Sequence, residues 1–527
     1  MLELAFRPDR GSDVPLPRQL ADHIAGLIDS GRLPSGAKLP ATREVAVGST
    51  VARKTVAGAY EILAERGLVT AHVGQGTFVA AQRARTDGSA PTIASPAAPR
   101  TFAWAGLFAR GAVTMPAALR RSEAGEYPYD FRGGRIDATS LPLRDLRWAF
   151  GRPFETRGRL EAMARHADPF GWPPLRREIA RYLTARGIAC VEREVAVVSG
   201  LQQAIDLVAR VLVDPGDAVA IEQPGYFGAA LAFASRGAQL LGVDVDGDGI
   251  DTDRLARILR VRRPKLVYVT PATQCPTGVV TSPARREALL ALADEHQMPV
   301  FEDDFDCELR YAGPSLPALK AHDAAGQVVY AGTFSKILFP GLRLGYVVAA
   351  RPLLERLVAA RVVADFATGV VAQAAVTTLL ATRGLERHVR RLRQRYATRL
   401  AALLDALARE MPDGTTWVTP RGGLHVWLTL PARIDPDRLH AAALARGIAY
   451  TRGDVFHHDG RGGEHAALSF ASLEPPAIAD GIARLGALAR EQSAAARPAG
   501  DGFGTRRRTA PRGATVARRR RTNHGVG

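Results

Sequence analysis

Residues 328–348 read VVYAGTFSKILFPGLRLGYVV. The run begins as apolar strand, breaks into Gly332-Thr333-Phe334-Ser335-Lys336, and returns to strand directly after Arg343. β-Branched and aromatic residues bounded by Gly and Pro mark both halves as strands. Ligands of an open α/β sheet bind beyond the strand ends, so hydroxyls and a lysine just after a strand are candidate site residues.

The same pattern extends outward. Strand-like runs at 195–198, 218–221, 239–243, 265–269 and 300–302 precede it, with amphipathic helical segments such as 201–213 and 284–295 between them. Strands alternating with helices predict βαβ units and a mostly parallel sheet. Four strand ends carry unusual residues. The first runs into Ser199-Gly200-Leu201 at a helix start, whose free N–H groups favour a phosphate. The second runs into Glu222-Gln223-Pro224-Gly225-Tyr226, which adds an aromatic face, and the run at 300–302 delivers Asp303 and Asp304. With Thr333, Ser335, Lys336 and Arg343, this set calls for a molecule bearing a phosphate, a cationic ring nitrogen and an aldehyde. Pyridoxal phosphate meets all three requirements.

The first eighty residues differ in kind. Leu16, Leu20, Ile24, Leu27 and Ile28 have helical spacing, a short helix is expected from Thr42, with Thr42 as its cap, and a third spans about 51–66. LVTAHVGQGTFVA follows as two strands joined by Gly74-Gln75-Gly76. Three helices and a two-stranded wing make a winged helix-turn-helix. The N-terminal end of its third helix presents Arg53, Lys54 and Thr55, suited to base edges. Arg43 is suited to phosphate, and the glycine-tipped wing to close approach to the duplex.

These residues carry two resemblances. LPATREVAVGSTVARKTVAGAYEILAERGLVTAHVGQGTFV (39–79) resembles the DNA-binding domain of GntR-family bacterial repressors, although Ala52 stands where that family usually has Ser. GTFSKILFPGLRLGY, EDDFDCELRY, TPATQCPTGV, VVSGLQQAIDL and EQPGYFGA resemble the motifs of fold-type I aminotransferases. Their order behind a winged helix is most similar to MocR-type regulators, in which a linker joins the two parts. The resemblance implies Lys336 as the Schiff-base lysine, Asp303 as partner of the pyridine N–H and Tyr226 as the stacking ring. It also implies a phosphate cup of Ser199, Gly200, the Leu201 amide, Thr333, Ser335 and Arg343. Three positions depart from the enzymes. Cys275 and Phe305 replace an Asn and a Tyr that bond the cofactor's phenolic oxygen, and Ala467 replaces the arginine that grips a substrate carboxylate. His166 stands where a partner subunit's tyrosine often completes the cup.

The 527-residue chain is 46% hydrophobic and 23% charged, average for globular proteins and enough for more than one core. The expected division is a DNA-binding domain at 1–82, a Pro/Ala/Ser-rich linker at 83–127 with a short amphipathic piece near 102–108, a pyridoxal phosphate domain at 128–492, and a basic disordered tail at 493–527. Part of the net charge of +17 lies in that tail, where Arg506–Arg508 and Arg518–Arg521 face the single acid Asp501. Three cysteines cannot form a disulfide framework. No apolar run approaches a membrane span, and MLELAFRPDRGSD lacks a secretory pattern. A cytoplasmic protein is expected. His457, His458, Asp459, Glu464 and His465 lie in a Gly-rich loop read as solvated, so no metal is assigned.

The reading favoured is a homodimeric transcription regulator that binds an operator in double-stranded DNA and senses a small amino compound, or pyridoxal phosphate itself, at Lys336. The alternatives are an active aminotransferase with an autoregulatory DNA-binding domain, and a DNA-binding module on a scaffold that has lost its cofactor.

Overall fold

The computed structural model describes residues 4, 6–12, 14–72, 76–80, 125–165 and 168–495. Gly74, Gln75, His166, the 102–108 segment, nearly all of the expected linker and the arginine-rich part of the tail lie outside them. The described chain separates into two compact units.

In the first unit, helices α1 (Leu16–Asp29), α2 (Thr42–Gly48) and α3 (Arg53–Glu65) precede strands β1 (Val69–His72) and β2 (Gly76–Val79). Leu20, Ile24 and Ile28 from α1 meet Val56, Ala59 and Leu63 from α3 in one core, as the helical spacing predicts. The Tyr60 hydroxyl donates to the Pro40 carbonyl (2.8 Å), fixing the segment before α2. Thr42 is not a cap. Ala41 takes that position, its backbone N–H is bonded by Glu44 (3.2 Å), and Thr42 is the first helical residue. The wing pairs antiparallel, with Val69 opposite Val79.

The second unit contains two sheets. The larger has eight strands in the order β4-β11-β10-β9-β8-β5-β6-β7: β4 (Val195–Val198), β5 (Ala218–Gln223), β6 (Gln239–Asp246), β7 (Gly249–Ile250), β8 (Val267–Val269), β9 (Val300–Asp304), β10 (Val328–Thr333) and β11 (Gly345–Val348). The run from β10 through β9, β8 and β5 to β6 is parallel. Each strand expected from the sequence is present within a few residues. Strand β11 is antiparallel to both neighbours, because the segment 334–344 between the end of β10 and its return holds only a short Pro340–Leu342 turn and no crossover helix. Strands β4 and β9 are buried along their whole length, as a sheet covered on both faces requires.

The smaller sheet has the order β12-β13-β15-β14-β3, built from β12 (Thr416–Val418), β13 (His425–Thr429), β15 (His465–Ser469), β14 (Ile448–Arg452) and β3 (Tyr129–Phe131). The helix Gly384–Glu410 packs against the helix Pro475–Ala495 so closely that a Cβ at Gly486 would lie 2.3 Å from the Glu410 carbonyl oxygen. Within it Arg399 is fully buried, donating to the Ala471 carbonyl (2.6 Å), Asp137 (2.7 Å) and Glu474 (2.8 Å). Removing one member of such a cluster strands the others. Arg399→Ala is expected to cost about 3–5 kcal/mol, measured as a lowered midpoint in urea unfolding of the full chain.

Candidate functional site

The geometry around Lys336 follows from where strands end. Helix Leu201–Leu212 begins at Gly200, whose φ of +88° suits glycine. A Cβ there would lie 3.0 Å from the Arg343 guanidinium, so the glycine lets the cation sit against the helix start. Arg343 is held in the left-handed region (φ +50°) and donates to the Ser199 carbonyl at 3.0 Å. Thr333 and Ser335 pair through their hydroxyls (3.0 Å). Ser199, Gly200, Arg343, Thr333 and Ser335 thus come from the ends of β4 and β10 and the turn before β11. A cation beside the free amides of a helix start favours a dianion such as phosphate.

Asp303 is the penultimate residue of β9 and is 2% exposed. One carboxylate oxygen accepts the Tyr268 hydroxyl from β8, and the other is buried with no partner. Burial pushes the carboxyl up to about 8, against the hydrogen bond from Tyr268, which lowers it. A carboxylate kept dry with one acceptor unused suits a protonated ring nitrogen. Lys336 follows β10 and is half-buried. It lies close enough to Asp303, Asp306, Cys275 and His425 for its charge to influence all four, although burial governs each of them. Burial drives His425 down to about 3, so it is a neutral group. Tyr226 donates its hydroxyl to Gln202 (3.1 Å), and burial raises its pKa.

The wall beside these groups is apolar. Cys275, Trp427, Phe456 and Ala467 cluster, with Tyr226 and Phe305 packed against them. Ala467 on β15 faces Trp427 on β13 and Thr451 on β14, and is fully buried. Its methyl group stands where the resemblance expects a carboxylate-gripping arginine, beside the Trp427 indole.

Three features escaped the sequence reading. Tyr268 carries the only hydroxyl in the short buried strand Val267–Val269, and that alone marked it. Glu222 is buried and raised to about 7 by that burial, while one oxygen accepts from the Thr270 amide (3.0 Å) and hydroxyl (2.6 Å). The histidine-bearing loop is not simply solvated. The Gly225 amide donates to the Phe456 carbonyl (2.8 Å), and Gln223 donates to Asp459 (2.8 Å), joining the loop to the segment that carries Tyr226.

In the first unit, Arg43, Arg53 and Lys54 are exposed and Thr55 is half-buried. The Arg53 guanidinium donates to the Thr42 hydroxyl (3.3 Å). Gly76 has φ +113°, and a Cβ there would meet the Lys38 side chain at 2.8 Å. Lys38, which bridges to Phe78 of the wing, adds an exposed cation that sequence reasoning passed over.

The family described as bacterial regulatory proteins, gntR family, matches residues 16–79, and the family described as aminotransferase class I and II matches residues 139–483. The chain is 31% identical over 490 residues to the probable rhizopine catabolism regulatory protein MocR of Rhizobium meliloti, covering 90% of this chain and 94% of that one. It is 32% identical over 485 residues to the HTH-type transcriptional regulator TauR of Rhodobacter capsulatus, covering 90% and 96%. Among solved structures, the α-aminoadipate aminotransferase LysN of Thermus thermophilus, complexed with N-(5′-phosphopyridoxyl)-L-leucine, superposes with a TM-score of 0.70 at 33% identity. That match covers 75% of this chain and all of the other. The second unit therefore has the fold of pyridoxal phosphate-dependent aminotransferases, and the chain belongs to the MocR-type regulators of the gntR family, which carry an aminotransferase class I and II domain behind a winged helix.

Proposed function

We propose that this protein controls transcription by binding operator DNA through residues 1–82 and holding pyridoxal phosphate in residues 128–492, where an amino compound or the cofactor itself acts as effector. The observation that carries the cofactor assignment is the buried, half-partnered carboxylate of Asp303. When bound, pyridoxal phosphate supplies an electrophilic aldehyde and an electron-withdrawing ring. Lys336 offers the amine that holds it. Asp303 shares a proton at its unpartnered oxygen, Tyr226 covers a ring face, and Arg343 with the Gly200–Leu201 amides, Ser199, Thr333 and Ser335 binds the phosphate. The aromatic wall around Ala467 excludes water but offers no fork for a carboxylate. That weighs against routine amino acid turnover and in favour of sensing. A homodimer is proposed because aminotransferase folds pair in this way. Effector binding changes DNA affinity only to the extent that the effector prefers one arrangement of the protein over another.

On the DNA side, Arg53, Lys54 and Thr55 read base edges, while Arg43 and the Gly74–Gly76 wing, with Lys38 beneath it, meet the backbone.

Three tests follow from these assignments. Borohydride treatment of the purified protein should leave a reduced pyridoxyl group on Lys336, located by peptide mass spectrometry. Lys336→Ala should retain none, and an adduct on another lysine would refute the assignment.

Asp303 sets a pH dependence. Its usual value is 3.8 and its folded value about 8. Below about pH 4 it is protonated in both states and imposes no penalty. As pH rises towards 8 the unfolded chain releases the proton and the folded protein does not, so stability falls. Glu222 and Glu302, each raised to about 7 by burial, act in the same sense over a narrower window. Cofactor-free protein should therefore melt at a lower temperature at pH 8 than at pH 5, and Asp303→Asn should reduce that difference.

With a duplex selected from a random pool, Arg53→Ala should weaken binding by about 1–3 kcal/mol and relax base preference. Arg43→Ala should weaken all sequences alike and lower the log–log salt slope by about 1. Both are measured by titration at several salt concentrations.

A further inference from the structure

Neighbouring residues on a strand point to opposite faces of the sheet. Asp303 meets Tyr268, and Asp304 turns instead towards Arg186 and Tyr330. Asp304 lines a cavity of about 580 Å³ enclosed by the helix Pro173–Thr184, the helix Gly384–Glu410 and the segment 302–318. The volume is that of a small-molecule site.

Charge in this cavity is sorted by depth. Its buried part holds Glu302, Asp304 and Glu308. Glu302 is occupied by the amides of Leu319 (2.8 Å) and Lys320 (2.9 Å), and Glu308 by Arg186 (3.0 Å) and the Tyr182 hydroxyl. Asp304 gives one oxygen to Tyr330 and Arg186, while its other oxygen is buried without any partner. Arg286, also buried, spends its N–H groups on the carbonyls of Thr281 (2.9 Å), Pro317 (2.9 Å) and Pro271 (2.6 Å) rather than on an acid. Towards solvent cations predominate, with the exposed Glu386 as the one acid among them on the lining. Arg390 and Arg393, one helical turn apart, are exposed, and Arg310 is half-buried beside them on the lining. Arg310 bonds the Gly313 carbonyl (3.3 Å) and Arg393 the Glu308 carbonyl, and none of the three has a carboxylate partner among the described residues. Like charges at i, i+3 repel unless an anion lies between them, and a buried carboxylate oxygen without a donor is costly.

We propose that this cavity binds a small zwitterion of the amino acid class, with its ammonium on the Asp304 carboxylate and its anionic group between Arg310, Arg390 and Arg393. An inorganic anion would satisfy the arginines and leave Asp304 stranded among other acids. A nucleic acid phosphate could reach the exposed arginines but not the buried acid. The site shares no contact with Lys336 and stands whether or not the cofactor reading holds.

The test uses the full-length protein carrying its cofactor and, in parallel, Lys336→Ala. Thermal unfolding is followed with each of the standard amino acids, with β-alanine and with inorganic phosphate. At least one zwitterion should raise the melting temperature by about 2 °C or more in both proteins. Calorimetric titration with that compound should show affinity about tenfold weaker in Arg390→Ala and Arg393→Ala. Asp304→Asn should also lose it, and the two surface variants keep the test valid if that buried change prevents folding. The proposal fails if no zwitterion stabilises either protein or if phosphate alone does so. It also fails if binding survives both arginine variants, or if binding disappears with Lys336→Ala, which would return the effect to the cofactor site.

Discussion

The hydrogen bond from Tyr268 to Asp303 joins two neighbouring parallel strands through a carboxylate removed from water. An ionised group in that position is tolerated only if its other oxygen also finds a proton donor, and no described residue provides one. The sheet is thus built around an unfilled demand for hydrogen bonding. Lys336, Tyr226 and the cup at Gly200 and Arg343 are arranged about that demand because the parallel run of β9 and β10 and the antiparallel return of β11 bring their strand ends to one crevice.

The smaller sheet contributes the wall. Trp427 packs edge-on to Phe456 (5.7 Å between ring centroids) and stacks on His465 (5.0 Å); Trp427 lies opposite Ala467 across the β13–β15 pair, and His465 is on the same strand as Ala467. Since the Phe456 carbonyl and Asp459 are bonded to the segment 223–225, a shift of the smaller sheet reaches the backbone next to Tyr226. With Tyr226 in the role proposed for it, two sheets joined at that ring can report whether a ligand is present, provided its affinity differs between their arrangements.

Much of this was legible in the sequence for identifiable reasons. Strands β4, β5, β9 and β10 stand out because fully buried strands read as continuous apolar runs broken by Gly and Ser. Ser199 and Asp303 stand out because they are polar residues directly after such runs, and Lys336 and Arg343 because they lie in the break between two of them. Tyr268 and Glu222 were obscured for the opposite reason: a side chain that acts from within a strand looks like core packing until its partner is known. The docking of the 453–465 loop was equally hidden, since its Gly, His and Asp content is that of a solvated turn and its contacts lie more than 230 residues away in sequence. The cap of α2 was misplaced by one residue, because the Glu44 side chain, rather than a hydroxyl, satisfies the free backbone amide.

The contact between Arg53 and Thr42 has an implication for how the first unit meets a duplex. A cation bonded to the neighbouring helix must release that bond before it can meet a base edge. Were Arg53 to turn from that hydroxyl to the paired acceptors of a guanine edge, as its proposed role allows, it would exchange one neutral acceptor for two. A base without that pair gives little reason to let go of the threonine. On the base-reading role proposed for Arg53, the domain thereby carries its own competitor for that side chain.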